Sequence, residues 1–266
     1  MTSAKSREVE ARLRVGLEIA LKAGEGTLKA FYRGNPKTIT KGDGTPVTLA
    51  DRHAERFLRD SIAKAFPRDG ALGEEYGESS GTSGFRWIID PIDGTQSFIR
   101  GVPLYGTLVG VEFEREVCIG IIVLPALEEC LYASRGNGAW WVKKSARPKR
   151  AKVSATARLE DAFVCTTSLG GFHDTRSAAA MTRLQGSAKR MRGWGDCYGY
   201  ALVATGRADG MIDPEMSIWD NAALKPIIEE AGGAFTDWKG VPTIYGKDAV
   251  ATNGRLHQSL LRILAG

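Results

Sequence analysis

A short apolar run that ends in a proline and two carboxylates constrains the fold of this chain more than any other feature. Residues 87–89 are Trp-Ile-Ile, and Asp90-Pro91 follows at once, which indicates a buried strand that the proline prevents from continuing. Asp90 and Asp93 leave this strand on one tight turn, where their carboxylates would repel each other unless cations bind between them. Oxygen ligands at an open site suit Mg²⁺ or Mn²⁺. The segment therefore predicts a metal site at the end of a strand.

The residues that follow are suited to binding an anion. Gly94 permits a close approach to the backbone, and the N–H groups around Gly94 and Thr95 would bind a phosphate oxygen if a helix begins there. Asp-Pro and Asp-Gly are also common turn dipeptides, so either one alone would indicate only a turn. Two further acidic clusters lie at the ends of apolar elements, namely Gly73-Glu74-Glu75 and Trp219-Asp220.

The apolar residues of the whole chain alternate between helical and strand periods. Helices are predicted over residues 13–24 and 50–65, and the second should begin with a capping box of Thr48 and Asp51 and end at Pro67. Later helices are predicted over residues 175–184, 197–205, 221–231 and 256–264. Strands are predicted over residues 104–113, 117–124, 130–133, 139–142, 162–166, 211–212 and 249–251. This alternation predicts a layered, mixed α/β protein.

A basic stretch near the middle of the chain separates two predicted halves. Six of the ten residues in 143–152 are Lys or Arg, and we predict a solvated linker there. The N-terminal half, residues 1–143, would carry the metal-binding motifs, and residues 144–266 would contribute Asp220 and the residues that recognise the substrate. No aromatic residues interleave with these charges, and the net charge is only +5. Nucleic acid is therefore not an expected partner.

The four cysteines and three histidines are scattered through the 266 residues, without a C-x-x-C pair or an H-E-x-x-H pattern. Scattered thiols fit a reducing compartment. Residues 1–25 mix charges among the apolar residues and lack the apolar core of an export signal. The most apolar stretch, residues 117–127, is shorter than the roughly 20 residues of a membrane span. We therefore expect a cytoplasmic protein without membrane contact, whose chemistry does not depend on imidazole.

Segment 87–95, with Gly73-Glu74-Glu75 before it and Trp219-Asp220 after it, resembles the inositol monophosphatase family of Mg²⁺-dependent, lithium-sensitive phosphatases. The similarity extends from residues 46–51 (Pro-Val-Thr-Leu-Ala-Asp) to residues 229–233 (Glu-Glu-Ala-Gly-Gly). It implies a layered αβαβα sandwich of the inositol monophosphatase and fructose-bisphosphatase type, and usually a homodimer. It also implies two to three Mg²⁺ ions per active site, with Mn²⁺ as a possible substitute.

The resemblance further implies a role for each residue of the site. The metal ligands would be Glu74, Asp90, the backbone carbonyl of Ile92, Asp93 and Asp220. Thr95, helped by Glu74, would orient the attacking water, and Asp51 would support Thr95 from behind. A metal pair held by carboxylates neutralises the charge on the transferring oxygens and provides hydroxide near neutral pH, without a histidine base. Glu75 fits a surface or supporting position at least as well as a ligand position.

Two segments are similar to the histidinol-phosphate phosphatase branch of the family, residues 193–200 (Gly-Trp-Gly-Asp-Cys-Tyr-Gly-Tyr) and 41–48 (Lys-Gly-Asp-Gly-Thr-Pro-Val-Thr). Histidinol carries an ammonium group and an imidazole, so its pocket should offer carboxylates beyond those that hold metals, and Asp196 and Asp213 are the candidates. Asp196 is alternatively a helix N-cap or first-turn acid, and Asp213 a turn residue. The predicted contacts to phosphate and substrate are Asp93, Gly94, Thr95, Gly195, Asp196, Cys197, Asp213 and Asp220.

The expected function is Mg²⁺-dependent hydrolysis of the small phosphate ester L-histidinol phosphate to L-histidinol and phosphate, a step of histidine biosynthesis. Inositol 1-phosphate, or another sugar or nucleotide 3′-phosphate, is the alternative substrate. A function of another class stays open, because some family members act as RNA- or transcription-associated factors and the basic stretch 143–152 would suit such a role. The complete set of acidic motifs favours the enzyme.

Overall fold

The computed structural model describes residues 3–34, 38–40, 46–144, 146–173 and 175–266. Residues 41–45, which belong to one of the two segments similar to the histidinol-phosphate phosphatase branch, lie outside the described residues. On either side of them, β1 (Thr38–Thr40) and β2 (Pro46–Thr48) pair as an antiparallel ladder. Within the described part of the chain, no helix is both long enough and apolar enough to cross a membrane.

The larger of the two main sheets has eight strands. They are β3 (Gly70–Gly73), β4 (Gly77–Ser79), β5 (Phe85–Asp93), β6 (Gly106–Phe113), β7 (Glu116–Leu124), β8 (Glu129–Ser134), β9 (Ala139–Lys143) and β10 (Lys149–Arg150). Their spatial order is β10-β9-β8-β7-β6-β5-β3-β4, and only β3 and β5 pair in parallel. The central strands β6 and β7 are buried along nearly their whole length, because helices cover both faces of the sheet.

Two helices, α1 (Ser3–Arg33) and α2 (Leu49–Ala65), cover the outer face of this sheet. Their apolar stripes pack against the alternate residues of β5, β6 and β7 that point outward, and Leu58 and Trp87 are fully buried in this core. The predicted capping box of α2 is confirmed. The Thr48 side chain accepts a hydrogen bond from Ala50 N, and the Asp51 carboxylate accepts one from Thr48 N.

A second, five-stranded sheet lies beyond the other face. Its strands, in the spatial order β12-β11-β13-β15-β14, are β11 (Phe163–Cys165), β12 (Arg190–Arg192), β13 (Gly210–Asp213), β14 (Ala234–Thr236) and β15 (Ala249–Thr252). Between the two sheets lie α5 (Asp196–Ala204) and α6 (Ile218–Glu230), and outside the second sheet lie α4 (Thr175–Ser187) and α7 (His257–Ala265). The predicted αβαβα sandwich is thus confirmed.

The structure corrects the prediction that Pro91 ends its strand. β5 continues through Pro91 to Asp93, with a shift in register between Asp90, which pairs with Leu108, and Asp93, which pairs with Gly106. A bulge of this kind tolerates proline because it removes a residue from the hydrogen-bonded ladder. Asp90 and Asp93 therefore lie on the bulged end of a strand. A short helix, α3 (Thr95–Ile99), begins just after it.

Several short elements have no counterpart among the predicted ones, namely β3, β4, β12, β14 and α3. They contain only three to five residues, which is too few to establish a period, and β12 reads Arg-Met-Arg. The basic stretch 143–152 also contains a strand, because Lys149–Arg150 pairs with Trp140 and Trp141 at the edge of the larger sheet. The division of the chain between residues 143 and 144 stays a prediction.

Candidate metal-dependent active site

All the predicted site residues except Asp51 and Gly195 line one cavity of about 420 Å³. Because β3 and β5 are parallel neighbours, their carboxyl ends meet at the same edge of the sheet, so Glu74 after β3 lies beside the bulged end of β5. The first turns of α5 and α6 and the end of β13 close the cavity from the other side. Its lining includes Glu74, Asp90, Ile92, Asp93, Gly94, Thr95, Asp196, Cys197, Asp213 and Asp220.

Three of these carboxylates form a compact group. Asp90, Asp93 and Asp220 each present an oxygen, and the three oxygens lie within 4.8 Å of one another. Burial is the largest cause that raises the pKa of Asp90 far above its usual value, and the charges of Glu74, Asp93 and Asp220 raise it further. Burial likewise raises the pKa of Asp220 to about 7. A divalent cation would relieve both the burial cost and the mutual repulsion, so this donor set fits Mg²⁺ or Mn²⁺.

The bulge of β5 directs the backbone toward the same point. The Asp90 carboxylate accepts a hydrogen bond from Ile92 N at 3.0 Å, and the hydroxyl of Thr95 donates to the carbonyl of Ile92 at 3.0 Å. Gly94 has a φ of +85°, and a Cβ on it would lie 2.9 Å from the nearer carboxylate oxygen of Asp196. Glycine is therefore required here for both conformation and space.

The beginning of α5 contributes a fourth carboxylate. Asp196 is the first residue of this helix and Gly195 is its N-cap, so the alternative that Asp196 is the N-cap is wrong. Asp196 has a φ of +53°, and its N–H donates to the hydroxyl of Thr167 at 2.9 Å. Burial, followed by the charges of Asp213 and Asp220, raises the pKa of Asp196 to about 7. The Asp196 carboxylate thus lines the cavity in a conformation that few residues other than glycine adopt.

The two neighbours of Asp196 act through the backbone. Gly195 packs against Thr167, since a Cβ on Gly195 would lie 2.2 Å from Thr167 Cα. The N–H of Cys197 donates to the Asp93 carboxylate at 2.5 Å, while the Cys197 side chain is fully buried. Burial, and next the charge of Asp93, raises the pKa of this thiol well above its usual value. Cys197 is therefore placed to hold Asp93 rather than to react.

Asp213 lines the cavity but is nearly enclosed by protein. Its side chain is only 1% exposed, and its two oxygens accept hydrogen bonds from Thr167 N at 2.8 Å and from the Tyr200 hydroxyl at 2.9 Å. Burial raises its pKa and outweighs these hydrogen bonds. Asp213 therefore joins the segment after β11 to α5. Of the two predicted carboxylates, Asp196 has its oxygens less engaged by protein donors.

Asp51 lies behind the cavity. Its carboxylate accepts hydrogen bonds from the N–H and the hydroxyl of Thr48, at 2.8 Å and 2.5 Å. Burial is the first cause of a raised Asp51 pKa, and the charge of Glu74 raises it further. The predicted support of Thr95 by Asp51 stays a prediction, because the Thr95 hydroxyl donates its hydrogen bond to the carbonyl of Ile92.

Two acidic residues of this region, Glu55 and Glu215, are not predicted from the sequence. Glu55 is fully buried against the backbone of Glu75 and Tyr76, and its signal in the sequence is its place four residues after Asp51, on the same face of α2. Glu215 is exposed and lines the cavity, with its carboxylate 3.4 Å from His173 Nδ1. His173 is thus near the mouth of the site, whereas His257 is buried between two threonines of the second sheet.

Comparison with known proteins identifies the family. Residues 8–265 match the model of the inositol monophosphatase family. A histidinol-phosphatase from Chlorobaculum parvum is 44% identical over 250 residues, which cover 94% of this chain and 95% of that protein. An inositol-1-monophosphatase from Rhizobium meliloti is 35% identical over 235 residues, or 86% of each chain. The crystal structure of the extragenic suppressor protein suhB from Bartonella henselae has a TM-score of 0.88 at 32% identity, and the match covers 96% of this chain and 98% of that one. The chain therefore belongs to the inositol monophosphatase family of phosphatases.

Proposed function

We propose that this protein is a Mg²⁺-dependent phosphomonoesterase that hydrolyses L-histidinol phosphate. The observation that carries the proposal is the convergence of Asp90, Asp93 and Asp220 within 4.8 Å in a cavity that a further carboxylate, Asp196, also lines. A cavity this acidic accepts a phosphate only when cations neutralise part of its charge. The fourth carboxylate then suits a substrate that carries a positive charge beside its phosphate.

Different residues of the site bind the metal and position the attacking water. Mg²⁺ would be held by Glu74, Asp90, Asp93, Asp220 and the carbonyl of Ile92. Bound there, it would supply charge neutralisation for the phosphate oxygens and make the attacking water more acidic. The Thr95 hydroxyl, oriented by the Ile92 carbonyl at 3.0 Å, positions that water together with Glu74. The water loses a proton as its oxygen bonds to phosphorus, and the alcohol oxygen gains a proton as its bond to phosphorus breaks, which releases L-histidinol and inorganic phosphate.

The amino alcohol is recognised at the side of the cavity where α5 begins. Asp196 points into the space next to Gly94, and we assign it the ammonium group or the imidazole of histidinol. A charge-assisted hydrogen bond to a partly desolvated carboxylate discriminates strongly against a neutral polyol. The greater identity to the Chlorobaculum histidinol-phosphatase than to the Rhizobium inositol-1-monophosphatase supports this choice. Inositol 1-phosphate is the alternative substrate.

Phosphate release from the purified protein tests the proposal. With saturating Mg²⁺, kcat/KM should be at least roughly tenfold higher for histidinol phosphate than for inositol 1-phosphate, the least that one charged contact of about 1.5 kcal/mol would give. An equal or reversed preference would refute the substrate assignment and leave the phosphatase intact. Activity that persists in full after chelation of divalent metals would refute the metal-dependent mechanism itself.

A further inference from the structure

Glu55 is a carboxylate enclosed by protein one helical turn after Asp51. Its side chain is fully buried, and it packs against the loop that follows β3. One oxygen accepts a hydrogen bond from Glu75 N at 2.7 Å, and the other accepts one from Tyr76 N at 3.2 Å. Arg59, one turn further along α2, donates from Nε to the second oxygen at 2.7 Å. The Glu55 carboxylate therefore accepts hydrogen bonds from two backbone N–H groups of this loop.

The loop carries Glu74, the residue to which we assign metal binding. On the near side, Glu74 N donates to the carbonyl of Ile89 at 3.3 Å, which ties the loop to β5. On the far side, Glu75 N is held by Glu55, and Arg59 also donates to the carbonyl of Gly77, where β4 begins. The backbone is thus fixed on both sides of Glu74.

Gly73 adds an independent sign that Glu55 must come close to this backbone. A Cβ on Gly73 would lie 2.1 Å from Glu55 Oε1, well inside van der Waals contact. The φ of Gly73 is not in the left-handed region, so its glycine serves space rather than conformation. Buried carboxylates are costly unless cations and donors surround them, and here Arg59 and two N–H groups do so.

We propose that Glu55 is a positioning residue that holds the Glu74 carboxylate in place to bind metal. The proposal rests on the proposed function, in which Glu74 is a metal ligand. Groups that orient a ligand from behind commonly change metal affinity by 10- to 100-fold when they are removed. Glutamine at position 55 has nearly the same shape but only one acceptor oxygen, so its amide nitrogen would face an N–H group of the loop or of Arg59.

Metal binding to the full-length protein tests this role without relying on activity. In Glu55→Gln, calorimetric titration with Mn²⁺ should show a Kd raised by about 10-fold or more. The Mg²⁺ concentration for half-maximal activity should rise in parallel, with kcat at saturating Mg²⁺ reduced much less. Glu78→Gln is the matched control, since Glu78 is exposed on β4 beside the same loop and pairs with Arg86. Its Mn²⁺ affinity should equal that of the wild type.

Two further variants keep the test decisive. Gly73→Ala should lower Mn²⁺ affinity as Glu55→Gln does, because it displaces the carboxylate without removing its charge, and it serves if Glu55→Gln does not fold. Glu74→Gln should lose affinity at least as strongly. A wild-type Kd in a Glu55→Gln protein of lower melting temperature would mean that Glu55 only stabilises the fold, and would overturn the proposal. A wild-type Kd in Glu74→Gln would instead refute the metal assignment within the proposed function.

Discussion

Replacing Asp220 by asparagine should make the metal-free protein more stable while it removes most of the activity. Asp220 lies in the first turn of α6, where its carboxylate accepts a hydrogen bond from Ser217 N at 2.6 Å. Burial, aided by the charge of Glu74, raises its pKa from 3.8 to about 7. Asparagine has the same shape, and its carbonyl oxygen can accept the hydrogen bond from Ser217 N. The substitution therefore removes the charge and leaves the cap.

The size of the effect follows from the shift in pKa. A shift from 3.8 to about 7 is worth about 4 kcal/mol. In the unfolded chain Asp220 ionises near pH 3.8, whereas in the folded protein it keeps its proton until about pH 7. The free energy of unfolding of the wild type therefore falls as the pH rises between these values, and the cost is complete above the higher one. Asparagine carries no charge at any of these pH values, so above pH 7 the variant avoids this cost and should be more stable by about 4 kcal/mol.

Urea denaturation of wild type and Asp220→Asn measures this difference. In a chelator at about pH 8 the variant should be the more stable protein. The difference should shrink toward pH 4, where Asp220 of the folded wild type is protonated and, like asparagine, carries no charge. Saturating Mg²⁺ should stabilise the wild type much more than the variant, because only the wild type has the complete ligand set. Asp60→Asn, at an exposed position of α2, is the matched control. It should change neither the free energy of unfolding in the chelator nor the stabilisation by Mg²⁺.

A variant that is less stable than the wild type in the chelator at pH 8 would refute the account of Asp220 as a strained, buried charge. Equal stabilisation of both proteins by Mg²⁺ would refute its place among the metal ligands.

Two further predictions concern the substrate pocket and the core. Asp196→Ala should raise the KM for histidinol phosphate about tenfold or more, and it should raise the KM for the phosphate ester of an uncharged alcohol far less. Steady-state kinetics measures both values, and an equal rise in the two KM values would favour a first-turn role of Asp196 in α5. Asp69→Asn should lower the free energy of unfolding by about 3 kcal/mol near neutral pH, because the Asp69 carboxylate accepts two hydrogen bonds from Arg12 and one from the Trp87 indole, each at 2.8 Å. Burial alone would raise the pKa of Asp69, but these hydrogen bonds lower it overall. The stability that the Asp69 carboxylate contributes should therefore be lost only below about pH 4. A difference in the free energy of unfolding between wild type and variant that stays constant through this acid range would contradict this account.

The local pattern of the sequence predicted the elements that carry most of the site. The apolar run at residues 87–89, the carboxylates at Asp90 and Asp93 and the capping box at Thr48 are all properties of neighbouring residues, so they are visible without a fold. The long helices and the central strands follow from their periods for the same reason. The course of β5 through Pro91 differs from prediction because a bulge depends on the partner strand β6 and not on the proline alone.

The amino-acid sequence by itself determined the kinds of residue at this site and the alternation of helices and strands that brings them to element ends. Only the tertiary structure decided which oxygens remain available. In the folded protein both oxygens of Asp213 accept hydrogen bonds, from Thr167 and Tyr200, whereas Asp196 lines the cavity. The fold also places Glu55 against the backbone of a loop some 20 residues away. Hydrogen-bond partners and desolvation depend on what the fold packs around a group, and sequence spacing alone does not specify them.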